Sequence, residues 1–264
     1  MQLHVEPARD GAPILFLHGV AGSSRTYDWL SVDGHRLDFR GHGASDRAPG
    51  TYRLDGYVAD ALSVLERIAP ATLVGHSLGG CVAWTVAQRR PELVRGAFLE
   101  DPPLYMGEPD GHAGNPAIPA FTTMRAETER WQAEGIDEAT AAARLAAQPY
   151  GPDPSRTAGD VQTPEALESR AYALLHLDLE VLDRVIDGSL LAATDTASPV
   201  AVPVLVLAAD DAFGAAFPTA HERRLAASHP EVEVVRLPGA GHSIHDGRAS
   251  RAAYAEQLER FLTR

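Results

Sequence analysis

Lysine is absent from this 264-residue chain, whose 23 basic residues are all arginines. Because an arginine side chain stays protonated, it serves neither as a Schiff-base nucleophile nor as a ready general base. The absence therefore excludes lysine-dependent catalysis. Cysteine is nearly absent as well: Cys81 stands alone, so no internal disulfide can form, and this composition is typical of a reducing compartment.

Long apolar runs and basic clusters are also missing. The apolar run AVPVLVLAA at residues 201–209 is far too short to span a bilayer, and the opening MQLHVEPARDGAP lacks the basic and apolar regions of a signal peptide. We therefore expect a cytoplasmic protein with no membrane partner. The net charge of −13, without a basic cluster, likewise excludes nucleic acid as an expected partner.

What the chain does contain is an alternation of short apolar runs and helical patterns. The runs are apolar on both faces, as in parallel strands that helices cover on both sides. This order predicts an α/β fold with a doubly wound, mostly parallel sheet. Strands are expected at 13–19, 35–39, 71–75, 96–100, 203–208 and 232–237, and helices at 55–68, 80–90, 219–228 and 248–263.

The alternation is interrupted in the middle of the chain. A loop rich in proline and glycine is followed there by helical patterns near 120–147 and 164–188, without a convincing strand. We interpret residues 1–102 and 203–264 as the α/β core. Residues 103–202 are then expected to form a helical cap, inserted over the carboxyl edge of the sheet.

The segment ATLVGHSLGG at residues 71–80 places Ser77 between two glycines, where a strand ends and a helix begins. Gly75 and Gly79 complete the pattern G-x-S-x-G, in which small residues let strand and helix approach closely and the turn lifts the serine hydroxyl above the sheet. Such a turn strains its central residue by about 1–3 kcal/mol, a cost that indicates a function. The pattern in this context predicts that Ser77 is a catalytic nucleophile.

A serine hydroxyl needs a base to take its proton, and LPGAGHSIHDG at residues 237–247 offers two histidines. His242 follows a predicted last strand and a glycine-rich loop that can bring it over the sheet edge, so we assign it as the base. His245 is the rival and is expected to cap the next helix. No nearby set of aspartate, glutamate and cysteine residues completes a metal site with the two histidines, so neither a metal nor any other cofactor is expected.

The negative charge that develops on a carbonyl oxygen needs two fixed hydrogen-bond donors. One is expected from the backbone N–H of Leu78, directly after the nucleophile, where the N-terminus of a helix also favours negative charge. The other is expected from the N–H of Val20, in the loop that follows the predicted strand ILFLHG.

Six segments, in this order, resemble the α/β-hydrolase superfamily: LFLHGVAGSSRTYDW, LDFRGHGASD, LVGHSLGG, PELVRGAFLED, PVLVLAADD and LPGAGHS. They cover nearly the whole chain except the expected cap. The resemblance implies the α/β-hydrolase fold, a triad in the order serine, acid, histidine, and a site at the carboxyl edge under the cap. This chain departs from the superfamily in its abbreviated N-terminal strands and in the short segment before HRLDFRGHG, which predicts a reduced first helix.

The acid of the triad stays open between two places. The usual position in the superfamily is the loop after the strand predicted here at 203–208, where this chain has Asp210 and Asp211, one position earlier than the family pattern. The other is Asp101, directly after the strand predicted at 96–100, which is where haloalkane dehalogenases and zearalenone-type lactonases carry their acid. Glu100 is a third candidate. Each of the aspartates can equally brace a loop or cap a turn.

These residues predict a serine hydrolase that cleaves a small-molecule carboxylic ester or lactone through an acyl-enzyme on a Ser-His-Asp triad. A C–C bond hydrolase or lyase on the same triad, and a ligand-binding receptor with little turnover, stay as alternatives. The C–C alternative needs arginines aimed into the pocket, for which Arg40, Arg125 and Arg170 are available. The candidates to line an apolar pocket are Tyr105, Met106, Phe121, Trp131, Tyr172 and Phe213.

Overall fold

A seven-stranded sheet forms the centre of the computed structural model, which describes residues 1–151, 153 and 155–264. Its strands, in chain order, are β1 (Val5–Glu6), β2 (Ile14–Leu17), β3 (His35–Leu37), β4 (Ala71–His76), β5 (Val94–Glu100), β6 (Val204–Ala208) and β7 (Glu233–Arg236). Their spatial order is β1-β3-β2-β4-β5-β6-β7. Strand β1 is antiparallel to β3, and the other pairs are parallel. The doubly wound, mostly parallel sheet is therefore confirmed; the two-residue β1 was not predicted.

Both faces of the central strands are buried, because consecutive residues of a strand point to opposite sides. Leu15 and Leu17 of β2 belong to one hydrophobic cluster, and Phe16 between them belongs to a second. Leu73 and Val74 of β4 are divided in the same way. The continuous apolar runs of the sequence follow from this two-sided burial.

Helices cover both faces of the sheet. Helices α1 to α10 span Leu54–Ile68, Leu78–Arg89, Pro109–His112, Ala117–Glu134, Glu138–Ala146, Ala158–Val161, Pro164–Leu175, Leu179–Ile186, Thr219–Ser228 and Arg251–Leu262. Buried residues of α1 and α2 join the first hydrophobic cluster, whereas Tyr254, Leu258 and Phe261 of α10 join the second. Each face of the sheet is thus closed by a different set of helices.

Helices α3 to α8 all lie between β5 and β6, within residues 103–202, which we call the insertion. The pattern near 120–147 is two helices, because Gly135 ends α4 with a φ of 63°. Asp137 then begins α5 by accepting a hydrogen bond from the Thr140 N–H at 2.8 Å. The pattern near 164–188 is likewise divided, since Asp178 caps the start of α8.

Between β2 and β3 the chain makes a short 3-10 turn, Ser24–Tyr27, in agreement with the predicted reduction of the first helix. Within the described residues, no helix combines the length and the apolar composition needed to cross a membrane.

Candidate active site

Ser77 lies in a strained turn between β4 and α2, with a φ of 52° and a ψ of −113°. The turn depends on its two glycines, because a Cβ on Gly75 would lie 2.3 Å from the carbonyl oxygen of Gly79. A Cβ on Gly79 would in turn lie 2.0 Å from the carbonyl oxygen of Leu17 in β2. The spacing of the motif therefore reflects the close packing of α2 on the sheet, and Ser77 is held at the carboxyl end of β4.

The adjacent strand ends in a second strained residue. Asp101 follows β5 with a φ of 42°, a conformation that residues other than glycine rarely adopt. Its N–H donates to the carbonyl of Leu207 at 2.8 Å, and the Ser77 N–H donates to the carbonyl of Glu100 at 2.9 Å. These bonds hold the two strained residues side by side at the same edge of the sheet.

Asp101 is the acid that the fold brings to His242. Its Oδ2 lies 2.7 Å from Nδ1 of His242, and the carboxylate is fully buried. The same carboxylate accepts the backbone N–H groups of Ala209 at 3.1 Å, Ala216 at 2.7 Å and Phe217 at 3.2 Å, all from the loop after β6. Four hydrogen bonds thus fix the side chain, and the loop that was the alternative source of the acid instead holds it.

Asp210 and Asp211, the alternative acids, make other contacts. Asp210 begins a short 3-10 turn, accepting the N–H of Ala212 at 2.9 Å and that of Gly239 at 2.7 Å. Asp211 lies 3.0 Å from Nη1 of Arg236 and also accepts the N–H of Thr219. The turn and cap contacts that their sequence permitted are therefore present, and in the described residues neither aspartate hydrogen-bonds to His242.

Ser77 and His242 lie at neighbouring positions but are not hydrogen-bonded to each other among the described residues. The ring of His76, directly before the serine, lies 4.8 Å from the ring of His242, centroid to centroid. Ser77 is 9% exposed, and about a third of the His242 side chain, 34%, is exposed. Catalytic hydrogen bonds are often long or poorly aligned before substrate binds, so the missing bond does not exclude His242 as the base.

The expected oxyanion donors face the same small space as Ser77. Val20, Ser77 and Leu78 line one cavity of about 30 Å³. Among the described residues, neither the Val20 nor the Leu78 N–H donates a backbone hydrogen bond. Gly19 permits this approach, since a Cβ there would lie 2.6 Å from Nδ1 of His76. Two free N–H groups beside a serine are the donors that a developing oxyanion requires.

The cavity at Ser77 is small and mostly apolar, with Met106 and Phe121 among its lining. A second cavity, of about 600 Å³, lies among the helices of the insertion and reaches His242; Trp131 and Phe213 line it. Tyr105 is instead buried beside His221 and Arg224, and Tyr172 packs between His176 and Arg25. Tyr150 and Gln162, which also line the large cavity, carried no signal in the sequence.

A second pairing of an acid and a histidine lies behind the first. His245 Nδ1 is 2.8 Å from Oε2 of Glu100, and its Nε2 is 3.2 Å from Oδ1 of Asp246. Burial opposes a charge on this ring, but the carboxylates of Asp246 and Glu100 outweigh it and raise the pKa of His245 to about 9. The expectation that His245 caps the next helix was wrong, because Ser250 is the residue that precedes α10.

Donor atoms of His76, Glu100 and His245 lie within 4.8 Å of one another, a spacing that would suit a metal ion. Glu100 comes from β5, so the sequence around the histidines gave no sign of it. Glu100 already accepts the backbone N–H of His245 at 3.0 Å and lies 2.8 Å from Nδ1 of that ring, so its carboxylate is engaged by one histidine. The cluster is therefore better described as a buried ion pair.

The histidines of the nearby loops are held neutral. Burial lowers the pKa of His18 to about 4 and that of His42 to about 3. His18 Nε2 accepts the N–H of Phe39 at 3.1 Å, so this ring fastens the loop after β2 to the loop after β3. These contacts and lowered pKa values are typical of structural side chains.

Residues 14–257 match the alpha/beta hydrolase family. Among curated proteins, the chain is 33% identical over 107 residues to 2-(acetamidomethylene)succinate hydrolase of Mesorhizobium japonicum, a match that covers 38% of each chain. It is 36% identical over 104 residues to a serine hydrolase-like protein of Danio rerio, covering 34% of this chain and 31% of the relative. The matches thus span about a third of the length of these relatives.

Solved structures match nearly the whole chain. The N-formylmaleamic acid deformylase of Pseudomonas putida aligns with a TM-score of 0.71 at 19% identity, over 96% of this chain and 95% of that one. An N-acyl homoserine lactone degrading enzyme aligns with a TM-score of 0.68 at 19% identity, over 98% and 96% of the two chains. At these identities the likeness shows the fold.

Proposed function

The chain belongs to the alpha/beta hydrolase family, and from this premise we propose that it is a serine hydrolase that cleaves a carboxylic ester or a lactone. The observation that carries the proposal is the pair of Asp101 and His242, 2.7 Å apart, beside the strained Ser77. A carboxylate that holds Nδ1 of a histidine leaves Nε2 unprotonated and able to accept a proton. The arrangement therefore supplies both parts of an activated nucleophile.

In the proposed reaction, Ser77 Oγ attacks the carbonyl carbon of the substrate while His242 takes the hydroxyl proton. The carbonyl oxygen becomes an oxyanion, which accepts the N–H groups of Val20 and Leu78. The bond between the carbonyl carbon and the leaving oxygen then breaks, and His242 gives its proton to that oxygen. An acyl-enzyme on Ser77 and an alcohol result; from a lactone, the hydroxyl stays on the acyl group.

Water completes the cycle. His242 removes a proton from water as its oxygen attacks the acyl carbon, and the oxyanion forms a second time at the same two N–H groups. Collapse of this intermediate returns the proton to Ser77 Oγ and releases the carboxylic acid. Through both halves, the charge of Asp101 stabilises the imidazolium that His242 becomes. No step requires a metal or an organic cofactor.

A fluorophosphonate probe and a panel of small esters and lactones test the proposal. Wild type should be labelled and should turn over members of the panel, and Ser77→Ala should lose both while its thermal unfolding stays cooperative. Ser169→Ala, a change on α7 of the insertion, is the matched control and should keep its label. Labelling that persists in Ser77→Ala would show that another residue is the nucleophile.

A second candidate is a C–C bond hydrolase on the same triad, and it is favoured by Arg170, the one of the three candidate arginines that lines the cavity reaching His242. Such an enzyme adds water across a bond between an acyl carbon and a carbon leaving group. Carboxylate-bearing diketones, assayed beside the esters, distinguish the two: turnover of diketones with little esterase activity would favour the second candidate.

A further inference from the structure

Arginines near the site differ in whether they have a partner. Arg40 is paired with Asp60 at 2.6 Å, and Arg125 with Asp183 at 2.8 Å. Arg184, beside the small cavity, is paired with Glu180 at 2.7 Å. Arg170, on α7, forms no ion pair with any acid among the described residues. Its hydrogen bond is to Sδ of Met124, at 3.8 Å, a weak acceptor for a full positive charge.

Arg170 is a half-buried cation without an ion-pair partner among the described residues. Burial lowers the pKa of Arg170, against the attraction of Asp246 and Tyr150, yet an arginine side chain stays charged in proteins. Asp246 does not form an ion pair with Arg170; its carboxylate is instead paired with His245, 3.2 Å from Nε2 of that ring. Because Arg170 has no ion-pair partner among the described residues, its guanidinium keeps unused hydrogen-bonding capacity.

Arg170 shares its cavity with the proposed base. Arg170, His242 and Ser243 all line the space of about 600 Å³ within the insertion. Glu127 is the one acid in that lining, and it accepts a hydrogen bond from Nε2 of Gln148 at 2.8 Å. Tyr150 adds a neutral hydroxyl to the same lining, while most other lining side chains are apolar. Among the described residues of this lining, a ligand thus meets one arginine without an ion-pair partner and one glutamate that already accepts a hydrogen bond.

We propose that Arg170 binds a carboxylate of the substrate, so that the enzyme prefers esters or lactones that carry a negative charge. This inference rests on the hydrolase function proposed above. The planar guanidinium fits a carboxylate through two parallel hydrogen bonds, and the Tyr150 hydroxyl offers one more donor. The small cavity at Ser77 accommodates a small apolar group, and the large one accommodates the half of the substrate that carries the charge.

Two matched ester pairs test the preference, with acid release followed by titration. Monomethyl glutarate is compared with methyl pentanoate, which replaces the carboxylate by a methyl group on the acyl side. Acetoxybutanoate is compared with butyl acetate, which makes the same replacement on the alcohol side. Wild type should favour the anionic ester in at least one pair, by about 10- to 150-fold in kcat/KM, the range of a charge-assisted hydrogen bond. Equal rates in both pairs would overturn the proposal.

The Arg170→Gln variant should abolish this ratio, and Arg170→Lys, which keeps the charge without the planar fork, should retain part of it. Arg125→Gln, a cap arginine whose charge is already paired, is the matched control and should keep the wild-type ratio. A ratio unchanged in Arg170→Gln would overturn the assignment. Should that variant fail to fold, the wild-type ratios and the Arg170→Lys ratio still decide it.

Calorimetric binding of glutarate separates this inference from the proposed function. Glutarate should bind to the Ser77→Ala protein, and the affinity should fall by a similar factor when Arg170→Gln is added and by a smaller factor when Arg170→Lys is added. If Ser77→Ala keeps its esterase activity but glutarate binding depends on Arg170, the nucleophile is wrong and the anion site stands. If Ser77→Ala loses activity and neither variant nor wild type binds glutarate, the hydrolase stands and the anion site is wrong.

Discussion

Two pairs of acid and histidine lie next to each other in this protein, and they differ in almost everything except chemistry. Glu100 and Asp101 are consecutive at the end of β5, and each meets a histidine of the loop after β7. The side chain of His242 is 34% exposed, toward a cavity, whereas that of His245 is 3% exposed. Glu100 is the last residue of β5 and its side chain is buried, whereas Asp101 leaves the strand with a φ of 42° and meets His242 at the site.

The number of carboxylates distinguishes the pairs further. His245 meets both Glu100 and Asp246 and stays protonated, so it has no free lone pair with which to accept a proton from a serine. His242 meets Asp101 alone. Identical residue types therefore suit a structural ion pair in one place and, in our proposal, general base catalysis in the other. The following experiments test that division, from the largest expected effect to the smallest.

The His242→Gln variant should lose at least about 10⁴-fold in kcat/KM, because no other group would take the serine proton. The amide keeps the size and polarity of the ring, so thermal unfolding should change little. Ester hydrolysis and a thermal melt measure the two quantities. If His245→Gln lost activity while His242→Gln kept it, the assignment of the two histidines would have to be exchanged.

The Asp101→Asn variant should lose about 10³- to 10⁴-fold in kcat, because an amide can hold the ring of His242 with the wrong nitrogen protonated. Asp210→Asn and Asp211→Asn are the matched controls, since both acids lie on the alternative loop and contact a turn and Arg236 instead. Each should lose less than about tenfold. A larger loss in Asp211→Asn than in Asp101→Asn would contradict the pairing.

The Glu100→Gln variant should lower the stability of the fold, whereas Asp101→Asn should lower kcat. Removing one member of a buried ion pair leaves the other charge uncompensated, which typically lowers the free energy of unfolding by about 3–5 kcal/mol. Urea denaturation of wild type and variant measures the change. Glu92→Gln, on an exposed surface turn, is the control and should be near neutral. A Glu100→Gln protein of normal stability but without activity would place Glu100 in the catalytic machinery.

The fold was predictable because its signals are local. Gly75 and Gly79 lie within two residues of Ser77, and each is required by a contact of under 3 Å that only this turn creates. The apolar runs marked the strands β2 and β4 to β6 for an equally local reason, since both faces of those strands are buried, and β7 was marked although its residues are only partly buried. The strand β1 was not predicted because two residues are too few to show an apolar run.

The site was predictable only in part, because its remaining contacts are long-range. The acid was undecided between Asp101 and the pair Asp210 and Asp211, with Glu100 as a third candidate. The decision depends on which carboxylate the N–H groups of Ala209, Ala216 and Phe217 surround, and these lie more than 100 residues away from Asp101 in the sequence. The orientation of Arg170 was open for a similar reason. A helix sequence does not say which neighbouring acids are already paired with other arginines.

The smallest effect concerns the pH dependence of stability and bears on the charge of His245. The pKa of His245 is raised to about 9 in the folded protein, above the ordinary value of 6.5. The protonated ring therefore stabilises the folded state fully below about pH 6.5, and this contribution is lost as the pH rises through 9. At 1.36 kcal/mol per pKa unit, the loss is roughly 3 kcal/mol at most. Urea denaturation of wild type and His245→Gln across this range isolates the contribution, since other titrating groups cancel in the difference. A difference that stays constant or grows with pH would mean that the folded protein holds His245 neutral, and the two pairs would then no longer differ in charge.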